Sequence, residues 1–350
     1  MTAASDGPAA PVSLAVPRGL AAISAMLPAL FVPNAKTAER FFEFFTAHIR
    51  NKNTRRAYYK AVCRFSEWCG GKGLRDLAQV KPMHAAAYIE GLQLDKPKGE
   101  GFSKPTVKQH LAALRMLFDW LVVGHVLDVN PAHAVRGPKH RVKKGKTPAL
   151  NRDEARALLD SIAVTRKVKR EDGAEHEIPV LTGLRDRALI GTMLYTFARV
   201  GAVLQMDVRD YFTQGQRRRM RLHEKGGIEH EAQCHHNLET YLDEYIAAAG
   251  IAANKDGPLF RTTGRLTGTP HRMSQPDAYR MIQRRAKEAG IKTQIGNHSM
   301  RATGITAYLK NGGTREHAQA MAAHASPRTT ELYDRRADEI TLDEYEKVGI

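Results

Sequence analysis

Six side chains in the second half of the chain are of types that can act together on a charged ester: Arg199, Lys225, His298, Arg301, His324 and Tyr333. Arg199 lies in Tyr195-Thr-Phe-Ala-Arg199-Val-Gly-Ala-Val-Leu, between two apolar stripes, where an unpaired guanidinium is costly to desolvate. His298 and Arg301 stand three apart at an expected helix start, so they share one helical face. Ser326 and Pro327 read as the cap and first turn of a helix over 326–335, which sets His324 just before it and Tyr333 about two turns in. Lys225 heads Lys225-Gly-Gly at the tip of an expected hairpin. Taken singly, each has an ordinary explanation: a buried ion pair, a surface HxxR, a core tyrosine, a solvated lysine.

Together, and in this order, they resemble the tyrosine recombinase (phage-integrase) family, of the simple type without an arm-binding domain. The resemblance rests on Arg199, the hairpin lysine, HxxR, and His324-Ala-Ser-Pro-Arg-Thr-Thr-Glu-Leu-Tyr333, and it covers about residues 36 to 348. It implies that Arg199 and Arg301 are the arginine pair, Lys225 the hairpin lysine, His298 and His324 the histidines and Tyr333 the nucleophile. One position departs. The family often has an acid three residues after its first arginine, and here that residue is Ala202. The resemblance also implies a clamp around double-stranded DNA, a 3′-phosphotyrosine with a free 5′ hydroxyl, and strand exchange through a four-way junction. Such proteins work as a dimer on each site and a tetramer in synapsis.

The residue types suit that chemistry on their own terms. Two arginines can hold the non-bridging oxygens of a phosphodiester and stabilise the charge of the pentacoordinate state, without a metal. A free phenol has a pKa near 10, so roughly one in a thousand is ionised at neutral pH, and cations with a histidine must help it attack. A protonated lysine suits donation to a departing 5′ oxygen. No metal site is expected: Cys234, His235 and His236 are consecutive, and neighbours on a strand or helix point apart. No cofactor is expected either, since the covalent link retains the energy of the broken bond.

The elements that must position these residues are mainly helical. Residues 1–33, rich in Ala, Pro and Ser, read as a loose leader. Residues 34–135 read as a helical, SAM-like core-binding domain of four or so helices. One carries the Phe41–Phe45 stripe, the next runs from Asn53 to Cys69, a third from Met83 to Leu92, and the fourth begins with Ser103 as cap and Pro105. Arg55, Arg56, Lys104, Lys108 and Arg115 are left to face phosphates. Residues 136–150 form a basic linker in which Arg136, Lys139, Arg141, Lys143, Lys144 and Lys146 meet no acid. Residues 151–337 read as a mixed α/β catalytic domain, opening at an Asn151…Glu154 capping box and holding a small hairpin of 217–222 and 229–233. Within it, helices are expected at 182–197, 236–249, 275–289, 298–309, 315–323 and 326–335. Residues 338–350 form a tail whose short helix, 342–347, is either given to a neighbouring subunit or folded back.

Composition narrows the classes. The chain has 350 residues and a formal charge of +17, which points to a polyanionic partner. With three cysteines it is no disulfide scaffold. No apolar run approaches the roughly 20 residues of a membrane span, so a cytoplasmic, nucleoid-associated protein is expected. Two readings compete with recombination: a type IB-like topoisomerase, and a DNA-binding architectural protein with an inert site.

Overall fold

In the computed structural model the described residues are 28–94, 101–140, 145–169, 174–224, 227, 229–263, 270–335 and 346–347. Lys225, Arg141, Lys143, Lys144 and most of the expected terminal helix lie outside them. The chain divides into two compact units, Met1–Arg141 and Val142–Ile350.

The first unit is helical. Asn34 caps α1 (Ala35–Glu43) by accepting from the Thr37 amide at 2.9 Å, and the helix widens into a looser turn, Phe44–His48. Asn51 caps α2 (Lys52–Gly71) in the same way, accepting from the Asn53 and Thr54 amides. Then follow α3 (Pro82–Leu94) and α4 (Lys104–Val123), the latter with proline in its first turn. Ser103 holds the N-cap position of α4 as expected, but its hydroxyl shares a 2.8 Å hydrogen bond with that of Thr106 in place of a backbone amide. The core is aromatic. Phe118 is fully buried between Phe31 and Phe65, with ring centroids 6.1 and 6.0 Å away. Phe31 also stacks on Phe41, and Leu30 is buried beside it. This corrects the expected leader. Its last residues belong to the core, because burying a Leu and a Phe contributes about 1.5–3 kcal/mol each and offsets the ordering of that short segment.

The second unit opens with α5 (Arg152–Asp160) on the expected capping box, Asn151 accepting from the Glu154 amide and Glu154 from that of Asn151. A hairpin of β1 (Thr165–Lys169) and β2 (Glu175–Pro179) follows. It was not expected from the sequence, because both its faces stay largely open and no apolar alternation marks it. Then comes α6 (Leu181–Thr196), buried nearly all round, so its sequence lacks a polar face. Next are α7 (Val200–Gln205), β3 (Tyr211–Gln214), β4 (Arg217–His223), β5 (Glu229–Gln233) and α8 (His236–Ala249). The three strands form one antiparallel sheet in the order β3-β4-β5, with Met220 opposite Tyr211 and Ala232 and facing the core. The last helices are α9 (Gln275–Glu288), α10 (Asn297–Lys310), α11 (Arg315–Met321) and α12 (Pro327–Glu331).

Helix α6 packs against α8 and α10. Asp186 of α6, wholly buried, accepts from Arg185 and from Arg284 and Arg285 of α9, so an ion cluster ties the two helices. The expected helix over 326–335 is shorter than read. It stops at Glu331, and Tyr333 follows in a turn in which its amide donates to the Thr330 carbonyl. Contacts to the rest of the unit redirect the chain there: Thr306 donates to the Tyr333 carbonyl at 3.1 Å, Arg315 pairs with Asp334 at 2.6 Å, and Arg335 donates to the Thr147 carbonyl. Among the described residues no helix is long and apolar enough to cross a membrane.

Candidate active site

Arg301 sits at the centre of the expected constellation. Helix α10 approaches α6 so closely at Gly304 that a Cβ there would lie 2.1 Å from the Leu194 carbonyl oxygen, and only a glycine permits it. One turn earlier, Arg301 is 2% exposed and donates from Nη1 to the Phe197 carbonyl and from Nη2 to that of Ala322, both at 2.5 Å. These residues are the C-caps of α6 and α11, whose last carbonyls have no partner within their helices. The guanidinium thus closes two helix ends and meets the negative pole of each. Burial, then the neighbouring Arg199, pushes its pKa down to about 10, so it stays charged at neutral pH. The HxxR reading placed this arginine on the surface when taken alone; the structure buries it. His298, in the first turn of α10, remains exposed and opens onto a cleft shared with Thr147, Val200, Gln275 and Tyr279.

His324 is positioned by backbone chemistry. Ala322 caps α11, Ala323 adopts a left-handed conformation (φ 46°), and the His324 amide reaches back to the Gln319 carbonyl at 3.1 Å. This is a Schellman ending built on alanine where glycine is usual, at a cost of about 1–2 kcal/mol. Phe197, at the end of α6, is likewise left-handed (φ 56°). Two of the strained non-glycine residues therefore flank the constellation, where such strain tends to collect. The His324 ring is buried, its Nδ1 lies 2.8 Å from the Thr330 hydroxyl, and its face stacks on Tyr333 at 5.7 Å. Burial, with Arg301 and then Arg199 nearby, pushes its pKa down to about 3, so the imidazole is neutral.

Tyr333 is half-buried against a small cluster of Phe197, Ile305, Leu309, Ala318 and Ala322. It lies beside the Arg301 guanidinium. Arg199, just before α7, keeps 34% of its side chain exposed and pairs through Nη1 with Glu224 Oε2. The Arg199 backbone amide also donates to Glu224 Oε1, at 3.4 Å. Arg199, Arg301, His324 and Tyr333 therefore come together, while His298 stands at an exposed margin.

Glu224 went unread in the sequence. The available signal was an acid directly before the expected hairpin lysine, in a chain with Ala202 where an acid was sought. Of the residues expected to face phosphates, Arg56, Lys104, Lys108, Arg136 and Lys139 are exposed. Two others are occupied by their own chain. Arg55 donates to the Ile49 and Thr46 carbonyls, and Arg115 to those of Ala132 and Val135, so these guanidiniums close loops of the first unit.

Two family models match this chain. The phage integrase family model matches residues 173–339, and the model of the phage integrase N-terminal SAM-like domain matches residues 38–126. Among curated relatives, the tyrosine recombinase XerD of Mycobacterium leprae is 28% identical over 285 residues, which is 80% of this chain and 86% of that protein. Among solved structures, the XerH site-specific recombinase in a post-cleavage complex with palindromic difH substrate superposes with a TM-score of 0.64 at 18% identity, covering 93% of this chain and 90% of that one. A lambda integrase tetramer bound to a Holliday junction gives 0.62 at 16% identity, over 91% and 84%. These two likenesses concern the fold.

Proposed function

Because the chain belongs to the phage integrase family of tyrosine recombinases, we propose that it is a site-specific DNA recombinase whose attacking group is Tyr333. The observation that carries the assignment of the nucleophile is that Tyr333 lies beside the Arg301 guanidinium and stacks on the ring of His324. Arg301 and the open edge of Arg199 would hold the non-bridging oxygens of the scissile phosphate, where charge grows as the fifth ligand approaches. The Tyr333 oxygen attacks phosphorus, the bond to the 5′ oxygen breaks, and Lys225 supplies the proton that the leaving oxygen needs. The neutral His324 can accept a hydrogen bond from the attacking phenol or donate one to a phosphoryl oxygen. Religation reverses these steps with a 5′ hydroxyl from another strand, so exchange through a four-way junction requires two sites and more than one subunit. A homo-oligomer, dimeric on each site and tetrameric in synapsis, fits that need.

The exposed basic residues Arg56, Lys104, Lys108, Arg136 and Lys139 are assigned to the DNA backbone, where they set affinity rather than sequence choice. Arg141, Lys143 and Lys144 extend the same basic run. The test uses nicked suicide duplexes selected from a random-sequence pool by binding to the protein. The wild-type chain should form a covalent protein–DNA adduct, and Tyr333→Phe should bind the duplex with near wild-type affinity and form none. An adduct persisting in that variant would remove Tyr333 from its role, and no adduct with wild type would remove the activity.

A further inference from the structure

The Arg199–Glu224 pair raises a question that the phosphate-binding role of Arg199 does not answer. Glu224 directly follows β4 and is 6% exposed, and burying a carboxylate is unfavourable unless its partners are well placed. Both its oxygens are used on a single residue: Oε2 takes the guanidinium through Nη1, and Oε1 takes the backbone amide. The carboxylate therefore grips the head and the root of Arg199 together. A long side chain with four torsions is reduced to one orientation, and a guanidinium has five N–H donors, so donors remain for a ligand. The partly open Arg199 differs in this from Arg301, which is locked by two helix-end carbonyls. Two guanidiniums this close also repel, and Glu224 is the carboxylate that opposes that repulsion at Arg301. The residue three past Arg199, Ala202, is buried and brings no charge.

We propose that Glu224 is a positioning residue of this site, holding the Arg199 guanidinium so that its open edge meets the scissile phosphate. The inference rests on the DNA-cleaving reading above. It ties the three-stranded sheet to the phosphate site, since the place of Glu224 is set by β4, whose His223 pairs with Glu229 of β5.

The experiment measures adduct formation on the same nicked duplex at saturating DNA, with the duplex Kd and the thermal midpoint of each variant. Glu224→Gln keeps the shape and removes the charge. Its single-turnover rate should fall at least 30-fold while Kd moves less than 3-fold, and Glu224→Asp should recover part of that loss. Because Glu224 acts through Arg199, adding Glu224→Gln to Arg199→Ala should slow that variant no further. The proposal is overturned if Glu224→Gln reacts within 3-fold of wild type, if its rate loss is matched by a loss of Kd, or if the two substitutions multiply. Should the glutamine variant not fold, the same limits apply to the aspartate variant, whose rate must fall without a matching change in Kd. A wild-type chain that forms no adduct would instead overturn the DNA-cleaving reading, which keeps the two failures apart.

Discussion

In the first unit the deepest side chains are Phe31, Phe41, Phe44, Phe65 and Phe118, packed ring on ring, whereas the second unit buries Arg185, Asp186, Glu224, Arg301 and His324 among its apolar residues. The two interiors obey different rules. Rings held by dispersion and exclusion of water tolerate modest shifts, and each contributes mostly by its area. Buried charges have no such tolerance, since each needs its partner in place, and that same demand keeps a guanidinium aimed at one spot. The first unit resembles a handle whose stability is spread over many contacts. The second holds a charged site that few contacts decide.

Phe118→Ala should give the largest effect and should lie wholly in stability, about 3–5 kcal/mol by the usual cost of deleting a buried ring. Calorimetry would read it, and adduct formation per folded molecule should hardly change; a site-specific rate loss would break the contrast. Arg301→Ala comes next. It should cost about 3 kcal/mol or more of transition-state stabilisation in adduct formation, as removal of a preorganised donor does elsewhere. A second consequence sharpens the comparison, because the same change leaves the Phe197 and Ala322 carbonyls unpaired, and the thermal midpoint should also fall. A variant that loses rate and keeps its midpoint would show that the helix ends do not depend on this arginine.

The smallest effect concerns pH. His324 ionises near 6.5 in an unfolded chain and near 3 here, so between those values the unfolded state binds the extra proton. Its neutral burial is without penalty above about pH 6.5, and stability is lost as pH falls toward 3. At pH 5 the loss amounts to about 2 kcal/mol. Denaturant unfolding at pH 7 and 5 should show it in wild type and not in His324→Asn. An equal pH slope in both proteins would assign the acid sensitivity to other groups.

Much of the helical order was open to sequence reading because it depends on local signals. The Asn151–Glu154 box starts its helix through bonds within its own first turn, and proline in the first turn opens α4 and α12. The β1–β2 hairpin was not legible, since two solvated faces leave no periodic trace. Nor was the early end of α12, which is set by Thr306, Arg315 and Thr147 far along the chain.

The order of arginine, HxxR, histidine and tyrosine was enough to name the chemistry, because that chemistry needs particular functional groups and these are written in the chain. What a residue touches is another matter. Whether Arg301 lies on the surface or seals two helix ends depends on Gly304 letting α10 reach α6, and whether Arg199 has a counter-ion depends on where β4 ends. Such contacts join residues 25 and 104 positions apart, and no local rule reaches that far. Spacing along a chain records which groups are present; only packing decides which of them lose their water, and burial is what gives a charge its direction and its strength.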